Sequence, residues 1–485
     1  MVVILKEKTM KTILRPFICA ILLIVVAISC KKDDTIDAKT LKVNTFITAT
    51  MQQFYLWEDK MPTNIDYKQE RDPIDYFDKL LYKAEDKWSI ITDDYEGLMG
   101  SLQGQETTYG YSLAFSFKFP NDTKNVVAVV QYVYPNSAAA LANLKRGDLL
   151  LEINGKTLTV DNYLQLLYSN SCTITLGTKT SGSFIPNGTV TMTASMTTLD
   201  PVVINKVIDY EGEKIGYLFY TQYIDRYTTL NNALLNFKAQ NIDYLVLDLR
   251  YNPGGYVKAA RHLCSALAPA TDVAQEKVLI TKHWSNPMKQ YWQIYNPGGD
   301  EDAFEDLFDP ALVSNDINMN LSKLYVLTSG RTASASELTI CGLQPYMDVI
   351  LVGETTVGKY VASMPLQPNV WTTWANDREI NNWAIMPIVY AYANADGLTN
   401  FKNGFTPLAQ YQVKDDVLDP TPLGDIHEAL LSKALWAITG VAPTRAMKAP
   451  QPEPFVYEII GTGFSRFDKF RENAIVSESQ FNGLR

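Results

Sequence analysis

Histidine is nearly missing from this chain: there are three in 485 residues, His262, His283 and His427, and they lie far apart. With no HExxH and no CxxC run, a zinc enzyme has almost no ligands to draw on, and no metal site is expected. A Ser-His-Asp hydrolase would have to recruit one of the same three. The only SxxK run, Ser29 to Lys32, sits at the end of an apolar leader, so a penicillin-binding or β-lactamase mechanism lacks its core motif. Positive charge is in deficit, 43 Lys and Arg against 53 Asp and Glu, which argues against a nucleic-acid partner held by a basic surface. What the chain does have is a 46% hydrophobic share, 28 Tyr and 8 Trp, with only 20% charged residues. That is the profile of several domains with packed cores, not of a disordered chain.

Residues 1–29 read as an export signal. Lys6, Lys8, Lys11 and Arg15 precede an uninterrupted apolar run, Phe17 to Ile28, whose twelve residues are too few to span a bilayer comfortably as a helix. The run ends in Ala27-Ile28-Ser29-Cys30, followed by Lys31-Lys32-Asp33-Asp34. This resembles a bacterial lipobox, which implies lipidation at Cys30, membrane attachment through that anchor, and a place in the bacterial envelope, with the outer membrane or cell surface favoured over a periplasm-facing one. Removal of residues 1–29 leaves 39 basic against 52 acidic residues, a net charge of −13. Besides Cys30, the cysteines left are Cys172, Cys264 and Cys341; an odd number specifies no disulfide framework, and they read as buried thiols.

Past a tether, residues 30–104 are patterned as a small helical domain: Phe46, Met51, Phe54 and Leu56, then Tyr76, Phe77, Leu80 and Leu81 after Asp72-Pro73. It reads as a cap without chemistry of its own. Residues 105–200 alternate as strands at Tyr111–Phe117, Val126–Val133 and Leu149–Ile153, the last ending in the turn Asn154-Gly155. Here the run Pro135-Asn136-Ser137-Ala138-Ala139-Ala140, followed by Arg146-Gly147-Asp148 and Ile153-Asn154-Gly155, resembles a PDZ domain. The resemblance makes Tyr109-Gly110-Tyr111-Ser112-Leu113 the loop that binds a peptide carboxylate, with the adjoining strand accepting the peptide as an extra strand. The helix around Tyr163 to Leu167 would form the other wall of the groove. Residues 201–440 alternate apolar strands with helices, the rhythm of an α/β core. Residues 284–322 read as an irregular insertion over it. Residues 441–485 form a Pro-rich linker and a tail of unclear role.

Three segments of that core carry chemistry. Asp248-Leu249-Arg250-Tyr251-Asn252-Pro253-Gly254-Gly255 ends a buried strand in a Gly-rich turn, where backbone can approach a ligand closely; alone it is also an ordinary β-to-α turn. Ser329-Gly330-Arg331-Thr332-Ala333-Ser334-Ala335-Ser336-Glu337 joins a strand to a helix through small residues, a turn that can expose a hydroxyl at a helix N-terminus. Ser334-x-x-Glu337 is equally a capping box, and Thr332 and Ser336 are rival hydroxyls. Gly353-Glu354-Thr355-Thr356-Val357-Gly358-Lys359 follows a strand, and its lysine sits among Val352, Val357 and Val361. A lysine serves as a general base only when neutral, which burial favours.

In order and at this spacing, with Lys359 lying 25 residues after Ser334, the three segments resemble the tail-specific, or C-terminal processing, serine proteases (peptidase family S41). The resemblance covers about residues 105–440. It implies a multidomain α+β chain: a helical N-terminal cap, a PDZ-like β domain and a crotonase- or ClpP-like α/β catalytic core. It further implies Ser334 as nucleophile, Lys359 as base, backbone N–H groups of Gly255 and Ala335 as the oxyanion hole, a polypeptide substrate, and no cofactor. Glu337 takes a supporting role. Many members orient the lysine with a Gln four residues on; here that position is Ser363, whose hydroxyl can still bond an amine. Two rival readings share the fold: a catalytically weak or inactive peptide-binding lipoprotein, and a crotonase-type acyl-CoA enzyme, which would leave the PDZ segment without a purpose.

Overall fold

The computed structural model describes residues 36–119, 122–180, 183–295, 301–313, 316–443, 459–463 and 474–476. The leader, the lipobox and Cys30 lie outside the described residues.

The N-terminal region folds as helices Ala38–Phe54, Pro73–Leu80 and Tyr95–Leu102, each started by an aspartate whose side chain accepts a backbone N–H of the first turn (Asp37, Asp72, Asp94). It is not a detached cap. Phe46 and Phe54 pack edge-on against Trp374 and Trp371 of the core, and strand Ile90–Thr92 pairs antiparallel with Ala384–Met386. Hydrophobic residues at helical spacing fixed which face of Ala38–Phe54 is buried; what that face meets lies more than 300 positions away and leaves no local mark.

The next unit is an antiparallel sheet containing Tyr111–Phe117, Val126–Val133, Leu149–Ile153, Ser171–Lys179 and Phe184–Thr193, with short helices Ala138–Leu141 and Tyr163–Leu167. The hairpin after Leu149–Ile153 turns on Asn154 and Gly155, both at positive φ (53° and 70°), the type I′ geometry that Asn-Gly favours. Tyr111–Phe117 has a second neighbour on its outer edge: strand Ile459–Gly463 of the C-terminal tail.

The core holds two sheets. One has five strands in the order 202–210, 213–220, 244–248, 323–328, 348–353, antiparallel in the first pair and parallel after it. The strands are apolar on both faces because helices cover them: Thr228–Ala239, Val257–Leu267, Ala335–Leu343 and Ala429–Thr439. Ala335–Leu343 is buried on every side, consistent with its nearly uncharged sequence. The other sheet has six strands, in the order Gly255–Tyr256, Ala474–Ile475, Val361–Ser363, Ile388–Asn394, Val278–Trp284, Glu305–Leu307. Residues 284–322, expected to be irregular, therefore supply an edge strand and the helix Asn286–Tyr295. The Asn- and Pro-rich composition masked a ten-residue helix whose Met288 and Trp292 are buried.

Candidate active site

All three chemistry-bearing segments leave the C-terminal ends of adjacent parallel strands, Tyr244–Asp248, Lys323–Thr328 and Asp348–Gly353. In an open parallel sheet those ends share one edge, so residues 80 to 110 positions apart converge on one crevice.

Hydrogen bonds lock the first two segments together. Thr332 Oγ1 donates to the Leu249 carbonyl at 2.9 Å, Ser336 Oγ to the Asn252 carbonyl at 3.1 Å, and Ser329 Oγ to the Arg250 carbonyl. Both rival hydroxyls are thus spent on backbone. Asn252, not singled out from the sequence, is the organiser of the Gly-rich turn. Its Oδ1 accepts the Gly254 N–H at 2.9 Å, its Nδ2 donates to the Tyr220 carbonyl at 2.9 Å, and its own carbonyl accepts the Ala333 N–H at 3.2 Å. An Asn two residues ahead of a glycine is an Asx-turn signal, and the sequence carried it.

Both glycines of this turn are required. Gly254 and Gly255 have φ of 117° and 134°, and a Cβ on Gly255 would come within 2.1 Å of the Tyr223 carbonyl oxygen. A Cβ on Gly254 would stand 2.8 Å from the Ser334 Cβ and 3.1 Å from the Ala335 nitrogen. The Gly-rich backbone and the start of the helix Ala335–Leu343 are therefore in contact, which puts the two amides expected to form an oxyanion hole on adjoining segments.

Ser334 sits at φ 61°, ψ −114°, a backbone conformation that an L residue adopts only when its surroundings force it. Its Oγ is buried at the head of a capping box with Glu337 and, unlike those of Thr332 and Ser336, donates to no backbone carbonyl. Glu337 supplies the forcing. Its Oε2 accepts the N–H of Ser334 at 3.0 Å and of Lys359 at 2.8 Å; its Oε1 accepts the N–H of Gly358 at 2.6 Å and the Thr356 hydroxyl at 2.5 Å. One carboxylate thus holds the backbones of both candidate catalytic residues. Burial raises the pKa of Glu337, opposed by those four donors. A second clamp is Tyr392, whose hydroxyl lies 3.0 Å from the Lys359 carbonyl and 3.3 Å from that of Ser334.

Lys359 is fully buried, with its Nζ 5.3 Å from the centre of the Trp88 ring. The N-terminal region thus contributes to the site, which its helical patterning gave no reason to expect. Ser363 is buried in the strand Val361–Ser363, and its Oγ makes no hydrogen bond; the structure does not bring it to the lysine amine as its position in the motif suggested.

The loop Tyr109–Leu113, expected to bind a peptide carboxylate, is built as a packed turn. Gly110 N–H donates to Thr108 Oγ1 at 3.1 Å, the Tyr109 hydroxyl donates to the Ser169 carbonyl at 2.5 Å, and Ser112 Oγ donates to Gln131 Oε1 at 2.9 Å. Tyr109, Tyr111 and Leu113 line a cavity of about 540 Å³ together with Leu167 and Tyr168 from the helix side. Cys172, Cys264 and Cys341 are buried free thiols.

Comparison with known proteins places this geometry. Residues 214–407 match peptidase family S41, residues 42–90 the peptidase S41 N-terminal domain, and residues 129–176 the PDZ domain. A carboxyl-terminal-processing protease of Picosynechococcus sp. is 26% identical over 288 residues, 58% of this chain and 61% of the relative. Another, from Synechocystis sp., is 27% identical over 228 residues, 46% of this chain and 47% of the relative. The matched regions thus span about half to three fifths of these curated relatives. A solved structure of a candidate S41 protease from Bacteroides fragilis superposes with a TM-score of 0.65 at 28% identity, covering 82% of this chain and 98% of that one. From its N-terminal domain through the PDZ unit to the peptidase core, this chain belongs to peptidase family S41.

Proposed function

We propose that the protein is a serine endopeptidase that cleaves polypeptides with a Ser334–Lys359 dyad. The observation that carries this reading is the contrast among the three hydroxyls of the turn. Ser336 and Thr332 donate to backbone carbonyls, while Ser334 is held in a strained conformation with its hydroxyl proton given to no carbonyl.

In the proposed cycle Lys359 takes the proton of Ser334 Oγ as that oxygen attacks a peptide carbonyl. Charge then develops on the carbonyl oxygen, where the N–H groups of Gly255 and Ala335 would receive it, aided by the N-terminus of Ala335–Leu343. The tetrahedral intermediate collapses, the C–N bond breaks, and the departing amine takes the proton from Lys359. Water then attacks the acyl-Ser334 ester and gives its proton to Lys359, which passes it to Ser334 Oγ as the ester C–O bond breaks and the acid leaves. Glu337 and Tyr392 act as positioning residues through the backbones they hold, and no cofactor enters.

The PDZ unit would receive a polypeptide end along Tyr111–Phe117, and a lipid on Cys30 would hold the protein at the bacterial envelope, the outer membrane or cell surface favoured. The second reading, a peptide-binding lipoprotein of little or no activity, draws on the Ser363 hydroxyl, which makes no hydrogen bond. Hydrolysis of a reduced, unfolded protein by soluble residues 31–485 separates the two. Parent turnover that falls at least about 1,000-fold in both Ser334→Ala and Lys359→Ala establishes the dyad. Equal turnover in all three overturns it, and an inactive parent that still binds peptide supports the second reading.

A further inference from the structure

Two strands of the C-terminal tail occupy the outer edge of the PDZ sheet and the gap beside Gly255. Strand Ile459–Gly463 pairs antiparallel with Tyr111–Phe117: Ile459 lies opposite Ser116 and Gly463 opposite Leu113. It therefore lies on the outer edge of the PDZ sheet and runs toward the Tyr109–Gly110 loop, as a β-augmenting peptide does. Farther along, strand Ala474–Ile475 inserts between Gly255–Tyr256 and Val361–Ser363, parallel to both. Ala474 is level with Gly255 on one side and Ala362 on the other, and the Val476 N–H donates to the Ser363 carbonyl at 3.0 Å. Within the described residues those two flanking strands join the same sheet only through this inserted one. Ile475 and Val476 are buried and line a cleft of about 680 Å³ with Tyr256 and Tyr390.

One strand of the tail meets the PDZ edge and another the flank of the glycine expected to hold the oxyanion, while Ser334 and Lys359 are wholly buried.

We propose that the C-terminal tail is a tethered competitor, occupying in cis the path a polypeptide substrate takes, so that a substrate must displace it before cleavage. This rests on the peptidase reading above, and the test separates the two. Two variants of residues 31–485 release the tail at different points: Gly461→Pro at the PDZ edge, and Ile475→Asp with Val476→Asp in the cleft. In a Ser334→Ala background, amide hydrogen exchange is followed at residues 113–116 and 361–363; in the active background, hydrolysis of reduced casein is followed. The expected result is exchange at least tenfold faster at the segment each variant frees, and a hydrolysis rate at least fivefold above the parent.

Exchange unchanged in both variants overturns the proposal. Faster exchange with hydrolysis equal to the parent's also overturns it, because the tail would then not compete. A parent chain shortened near Ala474, kept whole by Ser334→Ala, overturns it in favour of self-processing. Faster exchange with no hydrolysis in any chain upholds the tail's occupancy and defeats the Ser/Lys dyad instead.

Discussion

At Ser334 a φ of 61° is held in place by the bond from its N–H to the Glu337 carboxylate, 3.0 Å long. The small-residue run, the Glu three positions on and the lysine 25 positions on are written in the sequence, and they single out Ser334 and Lys359. The backbone strain at Ser334 is not, since φ of 61° with ψ of −114° is imposed by Glu337 and by neighbours from two other strands. Nor are Trp88 and Tyr392 legible, because each reaches the site from a distant segment with no motif around it. The strain makes a prediction. An alanine at 334 inherits the conformation, whereas a glycine adopts it freely, a difference of about 1–3 kcal/mol. Against glycine's entropic cost of about 0.5–1 kcal/mol, Ser334→Gly is expected to be the more stable of the two by about 1 kcal/mol. Urea unfolding of the two inactive variants measures this, and a more stable Ser334→Ala would mean the turn is not strained.

At the scale of elements, strands that alternate and end in turn residues were readable: Tyr111–Phe117, Val126–Val133 and Leu149–Ile153 stand where the alternation and the Asn-Gly turn put them. The six-stranded sheet was not, because its strands are two to seven residues long and come from segments more than 200 positions apart. Such pairings are decided by burial and by neighbours, not by local preference. The same holds for the junction of PDZ unit and core. Arg146, in the Arg-Gly-Asp turn, donates to Asp415 at 2.8 Å and to the Tyr251 hydroxyl at 2.6 Å, and Tyr251 in turn donates to Asp415. Arg250 pairs with Asp248 at 2.8 Å and forks onto Glu428 at 2.7 and 2.8 Å. All of these groups are buried, so the charges rely on one another and on hydrogen bonds such as those from Tyr217 to Asp248 and from the Leu431 N–H to Glu428.

Burial alone would raise the pKa of Asp415, but Arg146 and Arg250 outweigh it and hold it down at about 2, against an ordinary 3.8. A carboxylate depressed in the folded state stabilises above its unfolded pKa. That contribution, about 2 kcal/mol, is complete above about pH 4 and is lost as pH falls toward 2. Asp415→Asn should therefore cost about 3–5 kcal/mol at pH 7 by stranding Arg146. It should also flatten the loss of stability between pH 4 and 2. Denaturant titrations at pH 7 and pH 3 would show both; a variant as stable as the parent at pH 7 would mean the cluster holds nothing together.

For the whole molecule, order along the chain translates into convergence on one crevice. The N-terminal region brings Trp88 over the lysine, the PDZ turn reaches Tyr251 four positions ahead of Gly255, and the tail lies beside Gly255 itself. Each unit outside the core therefore touches the site or its supporting turn. The order of units was legible from composition shifts and motifs, but their mutual contacts were not, since they depend on surfaces that no single segment encodes.

The central claim is that Ser334, activated by Lys359, is the nucleophile. The most direct test is reaction of residues 31–485 with a fluorophosphonate, followed by peptide mapping of the adduct. The account predicts one adduct, on Ser334, absent from Ser334→Ala and strongly reduced in Lys359→Met. An adduct on Thr332 or Ser336, or equal labelling without the lysine, would contradict it.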